Sequence, residues 1–169
     1  IGYPYAGRLK NLGKLKNKTN GPLNKLIRLI ELRKYLKHND FEFIIDFRFR
    51  IKPIQEFLIS RYVYNTKTIF TVHSAKLNSY MPDQTFLTQL IYANCFKIVS
   101  ITKEMQRMIE KKHRLKNVTT IYNPVNIEEI TQRASEPISL NFDFIIGVGQ
   151  YDTNVKQFDK LIYAYSQSI

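Results

Sequence analysis

Short apolar runs alternate with helical segments along most of this chain, and that alternation limits its fold more than any other feature. The apolar runs lie at residues 41–47, 67–72, 96–101, 118–122 and 142–148. Segments with apolar residues at helical spacing lie between and after them, at 53–63, 83–94, 102–113, 127–134 and 155–168. Apolar strands separated by helices form βα units and a parallel sheet covered on both faces. The expected class is therefore α/β: a Rossmann-like parallel sheet with helices on both faces. Thr102 suits a helix N-cap, Glu104 its first turn, and Met105, Met108 and Ile109 a core-facing side. Residues 1–20 are rich in Gly, Asn and Lys and are expected as loop. Asn20-Gly21-Pro22 punctuates a helix start. Leu23, Leu26, Ile27 and Ile30 supply the buried stripe expected of that helix, which should end near His38-Asn39-Asp40.

Charge is the unusual bulk property. Lysine and arginine total 26 against 14 acidic residues, a net charge of +12. Ten of the basic residues lie in the first 38 positions, with Glu31 as the single acid there, so nine of the twelve net charges crowd into under a quarter of the chain. Such a field attracts polyanions, namely nucleic acid, anionic lipid headgroups or phosphorylated substrates. A solvated basic face is the plainer reading and stands beside a membrane-surface role. No apolar run approaches the length of a membrane span, and the N-terminus lacks the order of a signal peptide. The single cysteine, Cys95, excludes an internal disulfide framework and suits a reducing cytoplasm. It lies in the apolar run 90–96 without a partner motif and is expected as a buried structural thiol. No cysteine or histidine cluster suggests zinc, and no P-loop appears.

The stretch from Phe142 to Tyr165 bears most directly on function. Its apolar run ends at Gly147-Val148-Gly149, a polar loop carries Lys156, and Phe158, Leu161, Ile162 and Tyr165 form one helical stripe. A buried strand, a tight turn and a helix in this order turn backbone N–H groups toward a crevice; with a lysine they suit phosphate. The stretch resembles the first strand–loop–helix of the C-terminal domain in family 4 glycosyltransferases of the GT-B fold. Three upstream segments fit the same family in the same order. Thr71-Val72-His73-Ser74 resembles its strand ending in histidine, and Ile98-Val99-Ser100-Ile101-Thr102-Lys103-Glu104-Met105 its Val-Ser segment. Val118-Thr119-Thr120-Ile121-Tyr122-Asn123-Pro124-Val125-Asn126 is similar to its crossing into the second domain.

The resemblance implies a nucleotide-sugar donor that is a substrate, with no cofactor and no bound metal, and transfer with retention of anomeric configuration. Lys156 matches the lysine that contacts the donor diphosphate, and Gly149 matches the glycine of the same loop. Gln150 stands where the family usually has arginine, so half of the cationic clamp is missing. Glutamine donates hydrogen bonds but does not neutralise charge developing on the leaving diphosphate. An exposed helix-start lysine is the other reading of Lys156. His73 ends a strand at the carboxyl edge, where open α/β sheets hold ligands, and the resemblance implies contact with the transferred sugar. A packing histidine is the alternative. Asp46, Arg48 and Arg50 share one face if their strand persists. The two arginines would bind a phosphate-bearing acceptor, or one of them would pair with Asp46 at the surface. Asn123 is held extended by Pro124 and is expected as a structural residue near the hinge.

Residues 1–125 are expected to form an N-terminal acceptor-side domain, and 126–169 a linker and the start of a C-terminal nucleotide-sugar-binding domain. The glycine-rich unit that opens complete family members has no counterpart in this chain. The first domain is therefore expected to be incomplete, with an apolar sheet edge. The resemblance implies part of a bacterial enzyme that, at full length, transfers sugar to a cell-envelope polysaccharide or lipid-linked acceptor. The part alone is expected to be inactive. Its expected place is the cytoplasm, peripheral at the inner face of the plasma membrane, with Lys10, Lys14, Lys16 and Lys18 toward anionic lipid. Two rivals are a basic nucleic-acid-binding module, whose affinity would fall steeply with salt, and a non-catalytic partner subunit, motivated by Gln150. Basic and aromatic residues do not interleave in a recognition motif, so no nucleic-acid partner is expected.

Overall fold

The computed structural model describes residues 6–17, 21–137, 139–149 and 156–168. The chain divides into two compact units between Pro124 and Val125. The first unit contains strands β1 (Phe43–Asp46), β2 (Lys67–Val72), β3 (Lys97–Ser100) and β4 (Val118–Thr120). They pair in parallel in the order β1-β2-β3-β4, with Ile45 opposite Ile69, Phe70 opposite Ile98, and Val99 opposite Thr119. Helices α1 (Pro22–Lys37), α2 (Pro53–Leu58), α3 (Thr85–Tyr92) and α4 (Lys103–His113) pack around this sheet. The unit is the Rossmann-like α/β fold expected from the alternation.

Sequential strand order has a geometric consequence. Right-handed crossovers that always step in one direction leave their helices on one face of the sheet. Thr68, Phe70, Val72, Ile98, Ser100 and Val118 are buried on that face. Together with Met81, Ile91, Tyr92, Met105, Ile109 and Leu115 they build the main core. The opposite face presents Phe43, Ile45, Phe47 and Ile121, each more than a third exposed or close to it. Helices that would cover this second face are not among the described elements of the unit.

Local signals set the helix ends. Pro22 and Pro53 each occupy the first turn of a helix, where a missing N–H costs nothing. Thr102 caps α4 by accepting a hydrogen bond from the Met105 N–H at 3.1 Å. Lys111, Lys112 and His113 fill its last turn before Arg114 leaves the helix in the left-handed region, φ 55°. α2 runs on into a π-helical turn, Ile59–Val63.

Two expectations are corrected. Leu23, Leu26, Ile27 and Ile30 do not form the buried stripe of α1, since they are 43–71% exposed. The helix instead turns Leu29, Leu32 and Leu36 against Ile59 and Val63. Both rows have helical spacing, and the position of the π-helical turn selects between them. The run 142–148 is not a strand. Phe142, Phe144, Ile145, Ile146 and Val148 are exposed, and among the described residues of the second unit nothing pairs with them. An apolar run becomes a strand only where a neighbour supplies ladder hydrogen bonds. The described elements of this unit are α5 (Ile127–Ala134) and α6 (Phe158–Ser166).

Candidate functional site

Parallel sheets hold ligands outside the carboxyl ends of their strands. Toward those ends a cleft of about 260 Å³ lies on the uncovered face of the sheet, lined by Ile45, Ile69, Thr71 and Val99 within the strands, by Phe47, His73 and Ile101 just beyond them, and by residues 121–124. Its walls are mostly apolar, from Ile45, Phe47, Ile69, Val99, Ile101, Ile121 and Pro124. His73 and Asn123 bring polar side chains to it. His73 follows β2 directly, is exposed, and stacks on Phe47 with ring centroids 5.6 Å apart. A stacked ring has a restricted orientation while its nitrogens stay available. Apolar planes with a few fixed hydrogen-bonding groups suit a small neutral ligand bearing hydroxyls. Asn123, expected as a structural residue near the hinge, also lines the cleft.

On the helix-covered side of β1 lies a charge cluster. The Asp46 carboxylate is 1% exposed and accepts from the Arg48 backbone N–H at 2.9 Å, Arg48 Nη2 at 2.7 Å and the Tyr64 hydroxyl at 2.7 Å. Arg48 Nη2 also reaches Glu56 Oε2 at 2.8 Å. Burial alone would raise the Asp46 carboxyl, but the bonds from Arg48 and Tyr64 outweigh it and hold it below the usual carboxylate range. For Glu56 burial wins over Arg48, and its pKa is raised. Burial and the neighbouring Asp46 charge likewise push Tyr64 up. The ion pair foreseen here is therefore built on two buried carboxylates, and Tyr64 and Glu56 complete it. No sequence pattern marked those two: Glu56 lies in α2, and Tyr64 follows the π-helical turn in extended backbone.

Arg50 requires a correction. It is 1% exposed and does not face an acceptor. Its Nη2 donates to the Thr71 carbonyl at 2.7 Å and Nη1 to those of Arg48 at 2.9 Å and Asp46 at 3.2 Å. Nε reaches the Tyr80 carbonyl and the Tyr92 hydroxyl at 3.3 and 3.2 Å. The guanidinium lies over the rings of Phe70, Tyr80 and Tyr92. Arg50 ties the loop after β1 to β2 and to α3. Arg48 remains 43% exposed while bound to both carboxylates.

In the second unit, Gly149 lies against the stem of Lys156. A Cβ on Gly149 would come within 3.1 Å of Lys156 Cγ, and one on Gly147 within 2.8 Å of the Phe158 ring. A side chain at Gly147 would therefore collide with the Phe158 ring, and one at Gly149 would crowd the Lys156 stem. Lys156 is exposed. Gln150 and Lys18 lie outside the described residues; Lys10, Lys14 and Lys16 are exposed. Cys95 is half-buried, accepts from Asn117 Nδ2 at 3.2 Å, and burial pushes its thiol up to about 12. A raised thiol pKa suits the structural thiol expected here. Among the described residues no cluster of His, Cys, Asp or Glu has the geometry to hold a metal ion, and no helix is long and apolar enough to cross a membrane.

A four-stranded parallel sheet with helices packed on it defines a Rossmann-like α/β domain. The family model Glycosyltransferase Family 4 matches residues 9–129 of this chain. The match spans well over half of the sequence and the whole sheet, and the chain belongs to this family. No curated protein matches the chain.

Proposed function

We propose that this chain is part of a retaining glycosyltransferase that moves a sugar from a nucleotide-sugar donor to a cell-envelope acceptor, polysaccharide or lipid-linked. The observation that carries the reading is the cleft at the strand ends, where His73 stacks on Phe47 in a chain of this family. His73 would hydrogen-bond a hydroxyl of the transferred sugar. Losing one such bond costs about 1–3 kcal/mol, so His73→Ala in the full-length protein should lower kcat/KM by roughly fivefold to 150-fold. Unchanged kcat/KM in a correctly folded variant would remove His73 from the site.

Gly149, Gln150 and Lys156 would contact the donor diphosphate. The close fold of Gly149 on the Lys156 stem supports such a loop. Lys156→Ala should raise the dissociation constant of the donor, and an unaltered constant sinks that assignment. Arg48, still partly exposed, would meet a phosphate-bearing acceptor. Its test is the acceptor KM of Arg48→Lys, which should rise. The enzyme would act at the cytoplasmic face of the membrane, with Lys10, Lys14, Lys16 and Lys18 toward anionic lipid. Charge reversal at these four should weaken liposome binding; equal binding excludes the docking role. Gln150 favours one rival, a partner subunit without activity of its own. Donor turnover by the full-length protein separates the two.

A further inference from the structure

We infer that Arg50 is a positioning residue: its buried guanidinium sets the place of the Phe47–His73 stack in the cleft without lining the cleft itself. The ladder between β1 and β2 ends with the pair Asp46 and Phe70. Phe47 comes directly after Asp46, and His73 lies three residues after Phe70. Both rings therefore stand on backbone that the ladder between these two strands no longer holds. Arg50 takes over at this point. Its Nη1 donates to the carbonyls of Asp46 at 3.2 Å and Arg48 at 2.9 Å, the residues on either side of Phe47. Its Nη2 donates at 2.7 Å to the carbonyl of Thr71, two residues before His73. The Thr71 hydroxyl donates to the same Asp46 carbonyl at 3.1 Å. One rigid plane thus ties together the two chain segments that carry the stacked rings, whose centroids are 5.6 Å apart at 27°.

The plane itself is fixed. Phe70, Tyr80 and Tyr92 hold it by their ring faces, and Nε reaches the Tyr80 carbonyl and the Tyr92 hydroxyl. The Arg50 backbone N–H donates to the Ser79 carbonyl at 2.8 Å, a further anchor for the loop after β1. A cation needed only to balance Asp46, whose Oδ1 is 3.7 Å from Nη1, could equally be lysine. Lysine carries its donors on a single nitrogen and has no planar fork, so it cannot bond carbonyls of two chain segments and of Tyr80 together. The bonding pattern requires the fork. Orientation matters at a ring that is to hydrogen-bond a ligand, because small misplacements cost far more than their size suggests.

The kinetic consequence rests on the contact of His73 with the transferred sugar proposed above; the geometry does not. Nuclear magnetic resonance of the full-length protein with isotope-labelled histidine rings tests the geometry, at a pH about two units above the ordinary histidine value. The His73 ring signal is the one missing from His73→Ala, and Phe47→Leu gives its unstacked position. Arg50→Lys should move the signal most of the way to that position. Leu36→Ala, a core change outside the cleft, should leave it in place. An unmoved signal in Arg50→Lys overturns the inference, as does an equal movement in Leu36→Ala. In transfer assays Arg50→Lys should lower donor kcat/KM by about tenfold. His73→Ala with Arg50→Lys should be no slower than His73→Ala alone, because Arg50 acts through that ring; losses that multiply overturn the inference. Circular dichroism checks folding. If Arg50→Lys is not folded, Thr71→Val replaces it: loss of the hydroxyl bond to the Asp46 carbonyl should move the signal the same way, and a fixed signal refutes the positioning. Normal transfer by His73→Ala beside a moved signal removes the sugar contact and leaves the positioning in place. A fixed signal beside slow transfer by His73→Ala does the reverse.

Discussion

Replacing Arg50 by methionine removes a buried cation while keeping much of its volume, so the polar contribution is measured with little cavity term. The guanidinium makes five hydrogen bonds, four of them to backbone carbonyls. Two of those carbonyls keep another donor: Tyr80 keeps the Tyr92 hydroxyl, and Asp46 keeps the Thr71 hydroxyl. The carbonyls of Thr71 and Arg48 lose theirs, at about 1–3 kcal/mol each. The charge balance also shifts. Asp46 and Glu56 face Arg48 and Arg50 at present, and the variant leaves one buried negative charge in excess. Breaking a buried pair on one side costs about 3–5 kcal/mol. These are two views of the same loss, and the expected destabilisation is about 4 kcal/mol, a large part of a typical domain's 5–15 kcal/mol. Urea unfolding of the full-length protein followed by far-ultraviolet circular dichroism measures it. Arg133→Met is the control, because its pair with Glu129 is exposed on both sides and should be worth no more than about 1 kcal/mol. A loss below about 1 kcal/mol for Arg50→Met, or one no larger than the control's, would refute the clamp.

The remaining expectations concern pH and packing. His113 is fully buried at the end of α4, and among the described residues neither ring nitrogen has a hydrogen-bond partner. Burial, reinforced by Lys112 and opposed by Asp83, holds its pKa below the ordinary value of 6.5. A depressed histidine binds protons less readily when folded, so its stability contribution is present above pH 6.5 and fades as pH falls below that. Stability of the full-length protein should therefore fall between about pH 7 and 5, and His113→Leu should flatten that slope; an equal slope in the variant rejects the assignment. Asp46, also depressed, loses its contribution at lower pH, while the raised Glu56 acts in the opposite sense. On α1, Leu36→Ala should cost about 2–5 kcal/mol, and Leu26→Ala no more than about 0.5 kcal/mol. Equal costs by urea unfolding would mean that the helix faces the other way.

Much of the fold was legible in the chain because its signals are local. Strand β2 and helix α5 coincide with their expected spans, and α4 starts one residue after the capping Thr102, since periodicity and caps act within a few residues. The lysine-rich start, the strand-end histidine and the Gly-Val-Gly turn were also visible as residues in order. The site was less legible. Arg48 and Arg50 are two residues apart and chemically alike, yet one is half-exposed and the other sealed under three aromatic rings.

The sequence by itself determined the alternation of strand and helix, the charge and the order of motifs that mark the family. Tertiary structure decided which row of α1 meets the core, and whether an apolar run finds a strand partner. It also decided that Tyr64 and Glu56 join Asp46 and Arg48, and that Asn123 lines the same cleft as His73. Each of these depends on atoms far apart in the chain. Periodicity marks a helix's apolar rows without saying which neighbour each will meet, and a buried charge is stable only where distant groups complete its hydrogen bonds.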